Sequence, residues 1–147
     1  MTEPAVDRAV AILEAEEGFS AHAYYDSEGW LTIGIGCLID TRKGGGITID
    51  EARHLLRNRL APIYVALDER LPWWREMTPD RRAVLVSLAC QVGISGLLRF
   101  RRTLAAMEAG DYAGASKGLM ASLWARQTPA RAGRAEAAMR TGTWTAE

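Results

Sequence analysis

Between residues 19 and 38 the apolar pattern of this chain changes its period, and that switch constrains the fold more than any other feature. Leu31, Ile33 and Ile35 alternate with Thr32, Gly34 and Gly36, which is the spacing of a strand, and Asp26–Gly29 carries the residues of a tight turn. On the N-terminal side Val6, Ala9, Val10 and Leu13 recur at helical spacing, with Pro4 fit for a first turn and Gly18 for a left-handed stop. On the C-terminal side Thr48 and Glu51 form a capping box that opens a second helical run. Its apolar members are Ala52, Leu55, Leu56, Leu60, Ile63, Val65 and Leu67, and Pro62 is expected to kink it. A small antiparallel sheet set between helices is an α+β arrangement. The polar stretch from Asp40 to the glycines ending at Gly46 reads as a flexible connector.

From Leu71 onward every signal is helical. Thr78-Pro79 predicts an N-cap with proline in the first turn, opening an apolar helix through Val84, Leu85, Leu88, Ala89 and Val92 that ends at Gly93. Leu97–Ala109 predicts another, stopped by Gly110, and Tyr112–Leu123 a weaker one, since Gly114 and Gly118 each cost about 1 kcal/mol relative to Ala. Thr128-Pro129 predicts a last capped helix to about Arg140, with Trp144 packing back from the tail. The expected class is therefore α+β, mainly α. With 147 residues, 48% hydrophobic and 24% charged, the composition is that of a soluble globular chain. The five tryptophans are expected mostly in the core.

The formal charge is zero, yet unevenly spread. Residues 1–70 hold twelve acidic against seven basic side chains, and residues 71–147 six against eleven, with the basic excess mostly between Arg99 and Arg140. Such asymmetry points either to solvated helix faces or to a polyanionic partner of the second half. Cys37 and Cys90 form no paired framework and fit a reducing compartment, with apolar neighbours that suggest inert packing. The acidic N-terminus does not read as a secretory signal, and the apolar run Ala83–Cys90 is too short to span a bilayer.

Two carboxylates frame the strand segment. Glu17 falls in the last turn of the first helix, where the macrodipole disfavours an anion; with partial burial against Phe19 or a facing helix, its pKa is expected to rise toward that of a general acid. Asp26 sits at the hairpin turn, where Asp ordinarily bonds backbone N–H groups; paired with Glu17 it could also serve as the ionised partner. One protonated acid and one ionised base is the division that glycoside hydrolysis uses. Thr32, two positions after the turn, could help hold a water.

Other chemistries lack their residues. His22 and His54 lie on different elements, and no metal-ligand spacing involves them or the cysteines. The glycines of Gly34-Ile35-Gly36 and Gly44–Gly46 complete neither nucleotide-binding pattern. Ser95 lies in G-I-S-G without a histidine near it in sequence. No cofactor, metal or nucleic-acid partner is expected.

Glu17-Gly18 followed by Tyr24-x-Asp26 and then Thr32-Ile33-Gly34-x-Gly36 resembles the catalytic segment of phage-type lysozymes (glycoside hydrolase family 24). The resemblance continues at Arg81-Arg82-Ala83, at Gln91-Val92-Gly93, over Trp124–Ala132 and at Arg140–Trp144, so it spans nearly the whole chain. It implies a lysozyme-like two-lobed fold. A small lobe of about residues 14–60 with the hairpin would be joined by a long helix to a helical lobe of about 61–147, with residues 1–13 packing on the latter and the active cleft between the lobes.

The resemblance also implies hydrolysis of the β-1,4 bond between N-acetylmuramic acid and N-acetylglucosamine in peptidoglycan, with inversion. Glu17 would be the acid, Asp26 the base for water and Thr32 its positioner, the carboxyls standing roughly 6.5–9.5 Å apart. Arg131 would face the acid, and Leu38, Gln91 and Thr103 would contact substrate. Cys37, Cys90 and Gly118 stand where relatives carry a histidine, an aromatic residue and an asparagine. A monomeric endolysin without stable membrane association would wait in the host cytoplasm for a holin to open its way to the wall. A catalytically silent peptidoglycan-binding module and a lytic transglycosylase are the alternatives, although Asp26 is unnecessary to the latter.

Overall fold

The computed structural model describes residues 4–40 and 46–145. Helix α1 runs Pro4–Glu17 and stops where Gly18 takes φ +69° and its N–H bonds Glu14 at 3.1 Å. Strands β1 (Ser20–Tyr25), β2 (Leu31–Gly34) and β3 (Cys37–Leu38) form an antiparallel sheet in that order. Tyr24 faces Thr32, and Thr32 faces Leu38 across the ladder. Residues 41–45 of the expected glycine-rich connector lie outside the described residues.

Helix α2, Ile49–Arg70, starts at the expected capping box. The Thr48 N–H and hydroxyl both donate to Glu51 Oε2, at 2.7 and 2.8 Å, and the Glu51 N–H donates back to Thr48 Oγ1 at 3.3 Å. These bonds, the backbone one foremost, hold the Glu51 carboxyl below its ordinary pKa. The helix continues past Pro62 as one element. The chain forms two compact units, Met1–Leu55 and Leu56–Glu147, whose boundary falls within α2.

The second unit holds the hydrophobic core. A 3-10 turn at Pro72–Glu76 leads to α3 (Pro79–Leu97), α4 (Arg101–Glu108), α5 (Tyr112–Met120), α6 (Leu123–Gln127) and α7 (Pro129–Thr141). Leu85, Leu97, Leu119 and Met139 are fully buried, each contributing about 1.5–3 kcal/mol. Ala132, Ala135 and Ala138 give α7 a face of small side chains that lets α3 and α5 pack closely against it. Arg81 fastens the end of α7: its guanidinium donates to the carbonyls of Met139 (2.8 Å) and Arg140 (3.2 Å) and lies 3.5 Å from the centre of the Tyr112 ring.

Several expectations are corrected here. The first part of α3 ends at Gly93 as expected, but a further helical turn follows it without a loop. The helix is broken there by a non-helical residue (φ 74°, ψ 164°) and resumes to Leu97, which is fully buried. The next helix therefore starts at Arg101, after a turn in which Arg99 and Phe100 bond back to Gly96 and Leu97. The stretch to Leu123 splits at Ala121, because Ser122 caps a separate α6 through a bond from the Ala125 N–H at 3.1 Å. Thr78 caps α3 as expected, but Thr128 does not cap α7; its hydroxyl turns back to the Trp124 carbonyl at 2.9 Å.

Both cysteines are exposed rather than packed. Cys37 sits on a two-residue edge strand, and Cys90 shares the outward face of α3 with Ser87 and Gln91. Trp74 and Trp124 are buried, whereas Trp144 is 41% exposed, its N–H tied to Asp80 at 2.7 Å. Among the described residues no single helix is long and apolar enough to cross a membrane.

Candidate active site

Asp26 closes the hairpin in two ways. Its backbone N–H donates to the Trp30 carbonyl at 2.9 Å, and its carbonyl accepts from Gly29 at 3.0 Å. Its side-chain Oδ1 accepts from the N–H groups of Glu28 (2.9 Å) and Trp30 (2.8 Å). The local role anticipated for an Asp at a turn is thus real. It consumes one carboxylate oxygen and fixes the plane of the group. Oδ2 makes no hydrogen bond among the described residues, which leaves an oriented acceptor on a half-buried side chain.

Thr32 belongs to the same network. It is 3% exposed on the middle strand, and its hydroxyl donates to the Trp30 carbonyl at 3.2 Å. The Trp30 peptide therefore joins the pair: its N–H holds the Asp26 carboxylate while its C=O receives both the Asp26 N–H and the Thr32 O–H. Sequence reading singled out Asp26 and Thr32 but missed Trp30, because the connection runs through backbone that any residue would supply.

Glu17 ends α1, and its side chain lies close over a glycine of the neighbouring turn. Gly36, in the turn between β2 and β3, has φ +61°, and a Cβ placed there would come within 2.8 Å of Glu17 Oε2 and 2.9 Å of its Cγ. The glutamate side chain lies directly on the Gly36 backbone. The G-x-G spacing belongs to the motif that carries the family resemblance, but nothing in that spacing records which side chain overlies Gly36. The partial burial expected for Glu17 is not found: it is exposed, and Phe19, which was to cover it, is 79% exposed.

Leu38 is 45% exposed on β3 and lines a hollow of 490 Å³ with Ile47, Thr48 and Glu51. The other expected residues belong to the second unit. Gln91, on the outward face of α3, accepts from Trp124 Nε1 at 2.9 Å and donates to the Ser87 carbonyl at 3.0 Å. Thr103, on α4, is 5% exposed and meets the Cα of Gly118 so closely that a side chain at 118 would strike its hydroxyl. Arg131, exposed on α7, lines a 440 Å³ cavity with Asp80, Trp124 and Trp144. Among the described residues no group of three or more His, Cys, Asp or Glu gathers as metal ligands would.

The phage lysozyme family model matches residues 14–138. The chain is 32% identical to the pre-baseplate central spike protein of Enterobacteria phage T4 over 89% of its own length, and spans 27% of that larger protein. It is 26% and 25% identical to the probable T4-type lysozymes 1 and 2 of Dictyostelium discoideum, covering 90% of this chain and 93% of each relative.

Proposed function

The chain belongs to the phage lysozyme family, and we propose that it is a muramidase that hydrolyses the β-1,4 bond between N-acetylmuramic acid and N-acetylglucosamine by an inverting acid/base mechanism. The observation that carries this reading is the Asp26–Trp30–Thr32 network. Two backbone N–H groups aim one carboxylate, and its free oxygen is ready to take a proton from water. Glu17, laid on Gly36 at the end of α1, donates its proton to the leaving glycosidic oxygen. Asp26 takes the proton of the attacking water as that water bonds to the anomeric carbon, and Thr32 orients it through a hydroxyl oxygen whose proton is already engaged by Trp30. The products are a reducing muramic acid end and a free 4-hydroxyl, with both protons accounted for.

Leu38, Gln91 and Thr103 are proposed substrate contacts, and Arg131 a supporting charge for the acid. Host lysis with delivery through a holin pore belongs to the same proposal; lysis of cells expressing the chain with and without a holin tests it.

Glu17→Gln keeps the size of the side chain and removes its acid. It should abolish release of reducing ends from purified sacculi while circular dichroism and sacculus binding stay unchanged. Hydrolysis at the wild-type rate would refute the role of Glu17. Wild-type binding without product would instead identify a binding module, and anhydro-muramyl products by mass spectrometry a lytic transglycosylase.

A further inference from the structure

Arg82 lies in the Arg81-Arg82-Ala83 segment of α3, and the proposed reaction leaves it without a role. Its neighbour Arg81 is fully engaged, by two carbonyls at the end of α7 and by the Tyr112 ring. Arg82 has no such contacts. Its side chain is half-buried, and its Nε–H is buried with no hydrogen-bond partner among the described residues. Its guanidinium forms no ion pair among them either. A guanidinium is always charged, and taking one of its donors out of water without an acceptor works against folding.

Arg82 lines a small cavity with Tyr64, Trp74, Pro79 and Ala83, all within the second unit. None of these lining residues is an acid. Asp68, which contacts Trp74, is already engaged: it accepts from Arg75 at 2.7 and 2.8 Å and from Trp74 Nε1 at 2.7 Å. The same cluster fixes the aromatic walls. The Tyr64 and Trp74 rings stand 5.5 Å apart at 50°, and Arg75 lies 4.6 Å from the Trp74 ring centre and 5.9 Å from that of Tyr64.

The hollow thus combines an unpaired cation, a buried donor without an acceptor, and walls of ring and carbon surface. We propose that it binds a monocarboxylate carried on a short apolar body. The carboxylate takes the side-on fork of Arg82, accepting from Nε–H and from one Nη–H, and the apolar part lies against Tyr64, Pro79 and Ala83. One cation matches one negative charge. The volume of 250 Å³ is below the roughly 300–1,000 Å³ of sites for drug-sized ligands, which limits the body to a few carbon atoms. A free short-chain acid and the C-terminal residue of a peptide share this chemistry. The site goes beyond the hydrolase reading and does not depend on it.

NMR titration of the isotope-labelled full chain with propanoate reads the site directly. The Arg82 Nε–H and Trp74 Nε1–H resonances are expected to shift saturably, and propanamide, the uncharged isostere, to bind at least about tenfold more weakly. R82K keeps the charge but loses the fork, and should weaken propanoate about tenfold or more. R82M keeps the stem and removes the unpartnered donor. It should lose the ligand, while its urea midpoint without ligand stays at or above that of the wild type. No saturable shift, equal binding of acid and amide, or wild-type affinity in either variant would overturn the proposal. So would a clear fall in the urea midpoint of R82M, which would show that Arg82 is satisfied in the free protein. Binding should persist in E17Q, so failure of the hydrolase reading and failure of this one are separable. N-acetylalanine distinguishes the sources: tighter binding than propanoate points to a peptide end, and equal or weaker binding to a free acid. Either pattern supports a carboxylate site.

Discussion

Gly36→Ala and Gly34→Ala form a matched pair that separates backbone cost from active-site geometry. Both glycines have positive φ, +61° and +70°, so an alanine at either costs about 1–2 kcal/mol of stability. Their surroundings differ. A Cβ at residue 34 meets nothing within 4 Å, whereas at residue 36 it comes within 2.8 Å of Glu17 Oε2 and 2.9 Å of its Cγ. Ordinary contact needs about 3.5 Å, so the carboxyl must withdraw by about 0.6–0.7 Å or swing to another rotamer. Because Glu17 is exposed and flexible, this movement adds little to the stability loss. Its effect falls on catalysis, where a displacement of about 1 Å can cost about a hundredfold in rate. The expected outcome is equal destabilisation of both variants in urea unfolding, with kcat on purified sacculi, per folded molecule, lower by about tenfold or more in G36A only. If G34A loses as much activity as G36A, or if G36A turns over normally, Gly36 does not position the acid.

The contact between Thr103 and Gly118 makes a double-mutant cycle informative. Gly118→Ala alone gains about 1 kcal/mol of helix propensity but overpacks against the Thr103 hydroxyl by about 1–3 kcal/mol, for a net loss of up to about 2 kcal/mol. In a Thr103→Ala background, which removes the hydroxyl but keeps the Cβ 3.2 Å from the new methyl, most of that loss should be relieved, and a coupling below about 0.5 kcal/mol in urea unfolding would contradict the contact. Asp68 gives a pH dependence. Hydrogen bonds from Arg75 at 2.7 and 2.8 Å, and then from Trp74 Nε1 at 2.7 Å, lower its pKa to about 2 from an ordinary 3.8. The folded state thus favours the carboxylate. The stabilisation is present in full above about pH 4 and is lost as pH falls toward 2. Asp68→Asn should flatten that limb of the unfolding midpoint against pH; an unaltered acid limb would clear Asp68 of the effect.

The helix boundaries that a reader of the sequence locates correctly depend on chemistry within one turn. Gly18 ends α1 through its left-handed φ, Thr48 and Glu51 open α2 through reciprocal bonds, and Thr78-Pro79 opens α3. The boundaries misread are those where packing overrides such signals. Gly93 does end the first part of α3, but the short helical turn of residues 94–97 that buries Leu97 is not read as a separate piece, and Thr128 gives its hydroxyl to the preceding turn because the Trp124 carbonyl is within reach. The apolar neighbours of Cys90 did not bury it, since burial follows the face of α3 and not the neighbour in sequence.

The places of Glu17 at a helix end and Asp26 at a hairpin turn could be read from the sequence, because residue type and period suffice for that. The family could be named because its motifs recur in order along the chain. What only the tertiary structure decided is how those groups are held. The Trp30 peptide ties Asp26 to Thr32, the Gly36 backbone carries Glu17, and Gly118 makes room for the Thr103 hydroxyl. Each of these depends on a backbone group or a missing side chain facing a residue from another turn or element. No composition or periodicity records that, because a missing Cβ leaves no mark on a sequence until the fold brings a neighbour into the space.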